Sequence, residues 1–231
     1  MIAEKFVKHK GTYLLSHSVG LPLKATKSEA EEEFWKPWIE SSGNEWNHWL
    51  SFIERFRKQL GHLLNSDAKN FCPQTNVSSA VTKIIFSLEL SDKKNVILMS
   101  EEDFPSVAFA LQKSQSLGYQ LRYIPASLDL NDIQVWDDYL KDDVGLVLIT
   151  QVQSNNGVQL PIAPITKLSK HRSILSLVDV AQSIGILPID IKKWSVDFIV
   201  GSCVKWLSGG PGAGFMWVNP DIIKHCKPLD V

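Results

Sequence analysis

Two stretches decide how this chain folds: Val178–Asp179–Val180–Ala181–Gln182–Ser183 and, downstream, Val196–Asp197–Phe198–Ile199–Val200–Gly201–Ser202–Cys203–Val204–Lys205–Trp206. Each carries a short apolar run of the kind that forms a buried parallel strand. Each run empties into a reactive residue, Asp179 in one and Lys205 in the other. Further strands are expected at residues 95–99, 120–124, 145–150, 174–179, 196–201 and 214–218, and helices at 105–117, 131–140 and 162–171. That alternation implies right-handed crossovers and an α/β fold, with a mostly parallel sheet and helices on both faces. Ligands of such open sheets sit at the carboxyl ends of the strands, where Asp179 and Lys205 are delivered.

The segment before this pattern reads differently. Residues 1–28 are expected to be irregular, punctuated by Gly20 and Pro22. Glu29–Glu33 places acids where a helix N-terminus favours them, and Pro37 is expected to interrupt that helix. A long helix is expected from Asn44, with Trp46, Trp49, Leu50, Ile53, Phe56, Leu60, Leu63 and Leu64 on one stripe, a pattern of core or of subunit interface. Next, Asn76–Val77–Ser78–Ser79 opens a helix whose apolar face is Val77, Ala80, Val81, Ile84, Ile85 and Leu88.

Bulk properties set limits. A chain of 231 residues buries one sizeable core with at most a small appendage. A net charge of −1 gives no reason to expect nucleic acid or a membrane surface as partner. No apolar run approaches the ~18 residues of a membrane helix, and residues 1–10 hold no secretory signal. Cys72, Cys203 and Cys226 have neither CxxC spacing nor an even count, which points to reduced thiols and a cytoplasmic chain. The histidines and cysteines lack zinc-ligand spacing, so no metal is expected.

Four local patterns carry chemistry. A lysine just after a buried strand is partly desolvated, which favours the neutral amine needed for a Schiff base; the alternative for Lys205 is a surface lysine at a strand end. Asp179 offers a buried carboxylate that needs a cationic partner, or else caps a helix starting near Ala181. Together they are what pyridoxal 5'-phosphate requires: an acid for the pyridinium nitrogen and a lysine for the aldimine. Asn76, Val77 and Ser78 bring N–H groups and hydroxyls to a helix N-terminus, a phosphate site or an ordinary cap. The Gly209–Gly210–Pro211–Gly212–Ala213–Gly214 cluster resembles a phosphate-binding glycine loop of a nucleotide-binding domain. It is followed by a strand instead of a helix, so it reads as a tight turn positioning Lys205.

Three runs also carry a resemblance: Val178–Gly185, then Val196–Asp197–Phe198, then Ser202–Cys203–Val204–Lys205–Trp206–Leu207–Ser208–Gly209–Gly210. They are similar to the class V aminotransferases, a family of fold type I pyridoxal-phosphate enzymes. Within it, Trp194–Phe198 and the Lys-aromatic-Leu ending most resemble kynureninases, and the Gln182 position resembles cysteine desulfurases. The resemblance runs from about Tyr13 to the last residue and implies a seven-stranded type of large domain. It implies Lys205 in the internal aldimine, Asp179 on the pyridine nitrogen, and Asn76, Val77, Ser78 and Ser202 at the phosphate. Gln182 would reach the cofactor's phenolic oxygen from a helical start, or be a plain surface residue. Phe104, in Glu101–Ser106, would stack on the pyridine face, or pack in the core. Residues 154–157 would face substrate. Val204 stands where the family carries a phosphate-binding Tyr or His.

The domains implied are residues 1–44, an N-terminal segment with a short helix, and 45–231, the cofactor-binding large domain. A small C-terminal domain of the family would follow but is absent from these 231 residues. The function implied is an enzyme acting on a small-molecule amino-acid substrate, by transamination or by kynureninase-like hydrolysis, in a homodimer. The non-enzymatic alternative is an inactive, dimerising domain.

Overall fold

The computed structural model describes residues 2–40, 43 and 45–228. Seven strands form one sheet: β1 Phe71–Gln74, β2 Val96–Ser100, β3 Gln120–Ile124, β4 Val144–Thr150, β5 Leu175–Asp179, β6 Phe198–Ser202 and β7 Gly214–Val218. Their spatial order is β1-β7-β6-β5-β4-β2-β3. Strands β2 to β6 pair in parallel, whereas β7 runs antiparallel to β6 and β1 antiparallel to β7. The expected α/β fold with helices on both faces is what the chain adopts.

One face of the sheet is covered by α3 Trp46–Leu64, α6 Ile133–Tyr139 and α7 Ile162–His171, whose Leu60, Leu64, Trp136 and Ile165 share one core with Phe71 of β1, Val147 of β4 and Val178 of β5. The other is covered by α4 Val77–Ser87 and α5 Pro105–Gln112, through Ala80, Val81, Ile84, Val107 and Leu111. Strands β2 and β4 are buried at every position, which is why both read as continuous apolar runs. From β2 the chain crosses outward to β3, and from β4 it proceeds the other way, to β5 and β6. A crevice therefore opens at the carboxyl ends near the β2–β4 boundary, the topological switch point.

Several expectations need correction. Pro37 does not interrupt its helix: α1 Thr26–Ala30, a π-helical turn Glu31–Trp35 and α2 Lys36–Glu40 follow one another without a break. The widened turn lies directly before the proline, where the regular hydrogen-bond ladder is already altered. Strand β1 is not among the expected strands: it is four residues long and contains Pro73. It lies at the sheet edge, where proline is tolerated. The helix expected near Ala181 is a turn, so neither Asp179 nor Gln182 sits on a helix. The stripe on α3 divides: Leu60 and Leu64 are core, while Trp46 is 68% and Leu50 50% exposed. Asn44, its expected first residue, and the last three residues lie outside the described ones. Among the described residues no helix is long and apolar enough to cross a membrane.

Candidate active site

Parallel register brings the reactive groups to one edge. Thr150 at the end of β4 is level with Asp179 at the end of β5, and Asp179 with Val200 on β6. Beyond β6 the chain turns back through residues 203–213, which carry Lys205, before β7 begins. These ends frame a cavity of about 170 Å³. All eight residues singled out in the sequence line it: Asn76, Val77, Ser78, Phe104, Asp179, Gln182, Ser202 and Lys205. Ser154 lines it as well.

Asp179 is 5% exposed, and its Oδ1 accepts the Ala181 N–H at 2.8 Å. Burial pushes its carboxyl up to about 6, although that hydrogen bond and the charge of Lys205 pull it down. It is still mostly ionised at neutral pH. The same burial lowers the pKa of Lys205, and the attraction of Asp179 only partly opposes this. Neutral amine is therefore more accessible than on a surface lysine. The Lys205 Nζ lies 5.3 Å from the centre of the Phe104 ring. Phe104 is 44% exposed at the start of α5, which removes the reading of it as a core residue.

Helix α4 aims its N-terminus at the cavity. The Asn76 side chain caps it, accepting the Ser79 N–H at 2.8 Å. A helix leaves its first N–H groups without intrahelical partners, so Val77 and Ser78 present theirs where an anion is favoured. Gly214 lets β7 approach this cap: a Cβ there would lie 3.1 Å from the Asn76 Cα. Ser202 Oγ accepts a long 3.4 Å contact from the Val204 N–H. Gln182 is engaged at both ends, its Nε2 donating to the His17 carbonyl and its Oε1 accepting from the Trp206 indole, each at 3.1 Å. The Val204 carbonyl accepts the Gly20 N–H at 2.8 Å.

Three polar residues escaped the sequence reading. Thr150 and Ser106 line the cavity. Behind them Asp103 is buried, accepting from Thr150 Oγ1 at 2.6 Å and from the Ser100 N–H at 2.8 Å. Burial pushes Asp103 up to about 6 as well, with Asp179 adding a smaller upward push against those two hydrogen bonds. Thr150 was findable by the rule that located Asp179, since it too ends a buried parallel strand. Cys203 is buried, and burial raises its thiol to about 11, so it is protonated and inert.

The family model for aminotransferase class V matches residues 40–231. The aminotransferase YcbU of Bacillus subtilis strain 168, itself uncharacterised, is 27% identical over 186 residues, covering 80% of this chain and 50% of that protein. A kynureninase of Burkholderia mallei strain SAVP1 is 26% identical over 229 residues, covering 94% of this chain and 54% of that one. The chain thus spans about half the length of the curated relatives it matches. Among solved structures, a mutant of C-DES with glycine covalently linked to its pyridoxal-phosphate cofactor superposes with a TM-score of 0.86 at 22% identity, over 94% of this chain and 58% of that one. An apo cysteine desulfurase from Thermococcus onnurineus NA1 gives 0.82 at 18% identity, over 94% and 55%. At these identities the structures speak to the fold, and the matched family speaks to descent: the chain belongs to the class V aminotransferases, a pyridoxal-phosphate-dependent family.

Proposed function

We propose that this chain is the cofactor-binding part of a pyridoxal-phosphate enzyme acting on an amino acid, with Lys205 as the residue that holds the cofactor in aldimine linkage. One observation carries the reading: a buried carboxylate and a lysine of lowered pKa share a cavity that also receives a helix N-terminus. The donor set fits the cofactor at each of its parts. Val77, Ser78 and the α4 N-terminus would hold the phosphate, with Asn76 shaping the cap and Ser202 beside it. Asp179 would ion-pair with the protonated ring nitrogen, and Phe104 would cover a ring face. When bound, the cofactor supplies an electron sink. The chain would do the rest: Asp179 keeps the ring nitrogen protonated, and Lys205 Nζ, once free, moves the substrate α-proton.

Transamination is the generic reaction of such a site. Kynureninase-like hydrolysis is a second reading, favoured by kynureninase relatives that cover 94–96% of this chain. Mixing chain and cofactor with kynurenine, cysteine, alanine and aspartate separates them, because the product released names the reaction. Turnover that persists in Lys205→Ala would refute the site.

A homodimer belongs to the same proposal. The exposed faces of Trp35, Trp38 and Trp46 gather with Phe34 and Trp49 into one aromatic patch, the kind of surface proteins bury against a partner. Light scattering at micromolar concentration should give twice the chain mass; a monomer would contradict it. The three free cysteines support a reducing, cytoplasmic location, which localisation of the tagged protein in cells would test.

A further inference from the structure

The turn that carries Lys205 has no helix or strand of its own. Its internal hydrogen bonds are few: the Cys203 N–H to the Ala213 carbonyl at 2.9 Å, the Ser208 N–H to the Lys205 carbonyl at 3.1 Å and the Gly209 N–H to the Cys203 carbonyl at 2.8 Å. What aims the lysine must therefore come from outside the turn. Two hydrogen-bonded contacts from outside hold the turn, and both involve the N-terminal segment. The Gly20 N–H bonds the Val204 carbonyl at 2.8 Å. That approach is so close that a Cβ on Gly20 would lie 2.0 Å from the Lys205 carbonyl oxygen and 2.7 Å from Ser208 Oγ. From the other side Gln182, 9% exposed, donates to the His17 carbonyl and accepts from the Trp206 indole N–H.

We propose that Gln182 is a positioning residue: its amide clamps the N-terminal segment to Trp206 and so fixes the direction of the neighbouring Lys205. The inference rests on the reading of Lys205 as the reactive lysine. An amide is the side chain that suits the post, because one group must donate to a carbonyl and accept from an indole N–H at once. The segment being clamped is held together by hydrogen bonds of its own. The Val7 N–H bonds the Pro22 carbonyl at 3.0 Å, the Lys24 N–H bonds the Lys5 carbonyl at 2.8 Å, and Tyr13 Oη donates to the Val19 carbonyl at 2.7 Å. Clamp and glycine contact together tie this segment to the turn that carries Lys205, and Phe6, Tyr13 and Leu21 border a second cavity with Lys205 and Trp206. Losing the clamp would let the turn loosen, admit water to Lys205 and restore its ordinary basicity.

The test uses the full chain without cofactor. Acetic anhydride labelling across a pH series, with peptide mass spectrometry, reads the titration midpoint of Lys205 directly. Gln182→Met keeps length and volume but breaks both hydrogen bonds; Gly20→Ala attacks the same contact from the other side. Both should raise the midpoint, and at pH 7.5 each pH unit of rise lowers the neutral fraction about tenfold. Far-ultraviolet circular dichroism checks that each variant is folded, and should Gln182→Met fail to fold, Gln182→Ala is read in its place. A midpoint unchanged or lowered in the Gln182 variant, or moved by Gly20→Ala alone, overturns the proposal. Whether the cofactor goes onto Lys205 is measured on the unmodified chain, so failure of the clamp and failure of the underlying reading are told apart.

Discussion

Replacing Asp179 by Asn should make the cofactor-free protein more stable while weakening its hold on the cofactor. Burial raises this carboxyl from an ordinary 3.8 to about 6, even with the Ala181 N–H and the Lys205 charge opposing the rise. A carboxyl with a raised folded pKa holds its proton more tightly in the folded state, so ionising it costs stability. No cost arises below about pH 3.8, it grows between about 3.8 and 6, and it is complete above 6. At ~1.4 kcal/mol per pH unit the full cost is about 3 kcal/mol. Asn keeps an Oδ1 for the Ala181 N–H and cannot ionise. In urea denaturation at pH 7.5 without cofactor, Asp179→Asn should therefore gain about 3 kcal/mol, shrinking to roughly 1 kcal/mol at pH 4.5. With cofactor the order should reverse, because breaking one partner of a buried ion pair costs ~3–5 kcal/mol. A variant no more stable than the parent at pH 7.5, or equally favoured at both pH values, refutes the argument from burial.

Gly201→Ala should destabilise the fold by about 1–3 kcal/mol through overpacking, since its Cβ would sit 2.5 Å from the Phe215 ring and 3.1 Å from Val180 Cγ2; an unchanged urea midpoint would show that the ring yields freely. Asn76→Ala should cost about 1 kcal/mol as a lost helix cap and should also weaken cofactor binding, read by fluorescence titration; stability lost with binding unchanged would leave the cap structural only.

The sheet was largely legible because its central strands are buried on both faces and so appear as uninterrupted apolar runs. Strands β3 and β7 and helix α7 have the ends read from the sequence. Elements shaped by tertiary context were harder. Strand β1 pairs only with β7 and carries a proline, so neither length nor composition marks it. Pro37 is accommodated by a π turn that no local pattern announces. The site shows the same division. Asp179 and Lys205 were visible because strand ends point to them, and Asn76 to Ser78 because a helix begins there. Gln182 was visible as a residue, but its partners His17 and Trp206 lie 165 and 24 positions away, and no spacing rule connects them. Asp103 was hidden for a similar reason: its partner Thr150 is 47 positions on.

Whether Lys205 carries the cofactor is read by borohydride reduction of the chain with pyridoxal phosphate, followed by peptide mapping. A single pyridoxyl group should appear on the peptide containing Lys205 and be lost in Lys205→Ala. A pyridoxyl group on a different lysine, or none on the folded chain with cofactor in excess, would contradict it.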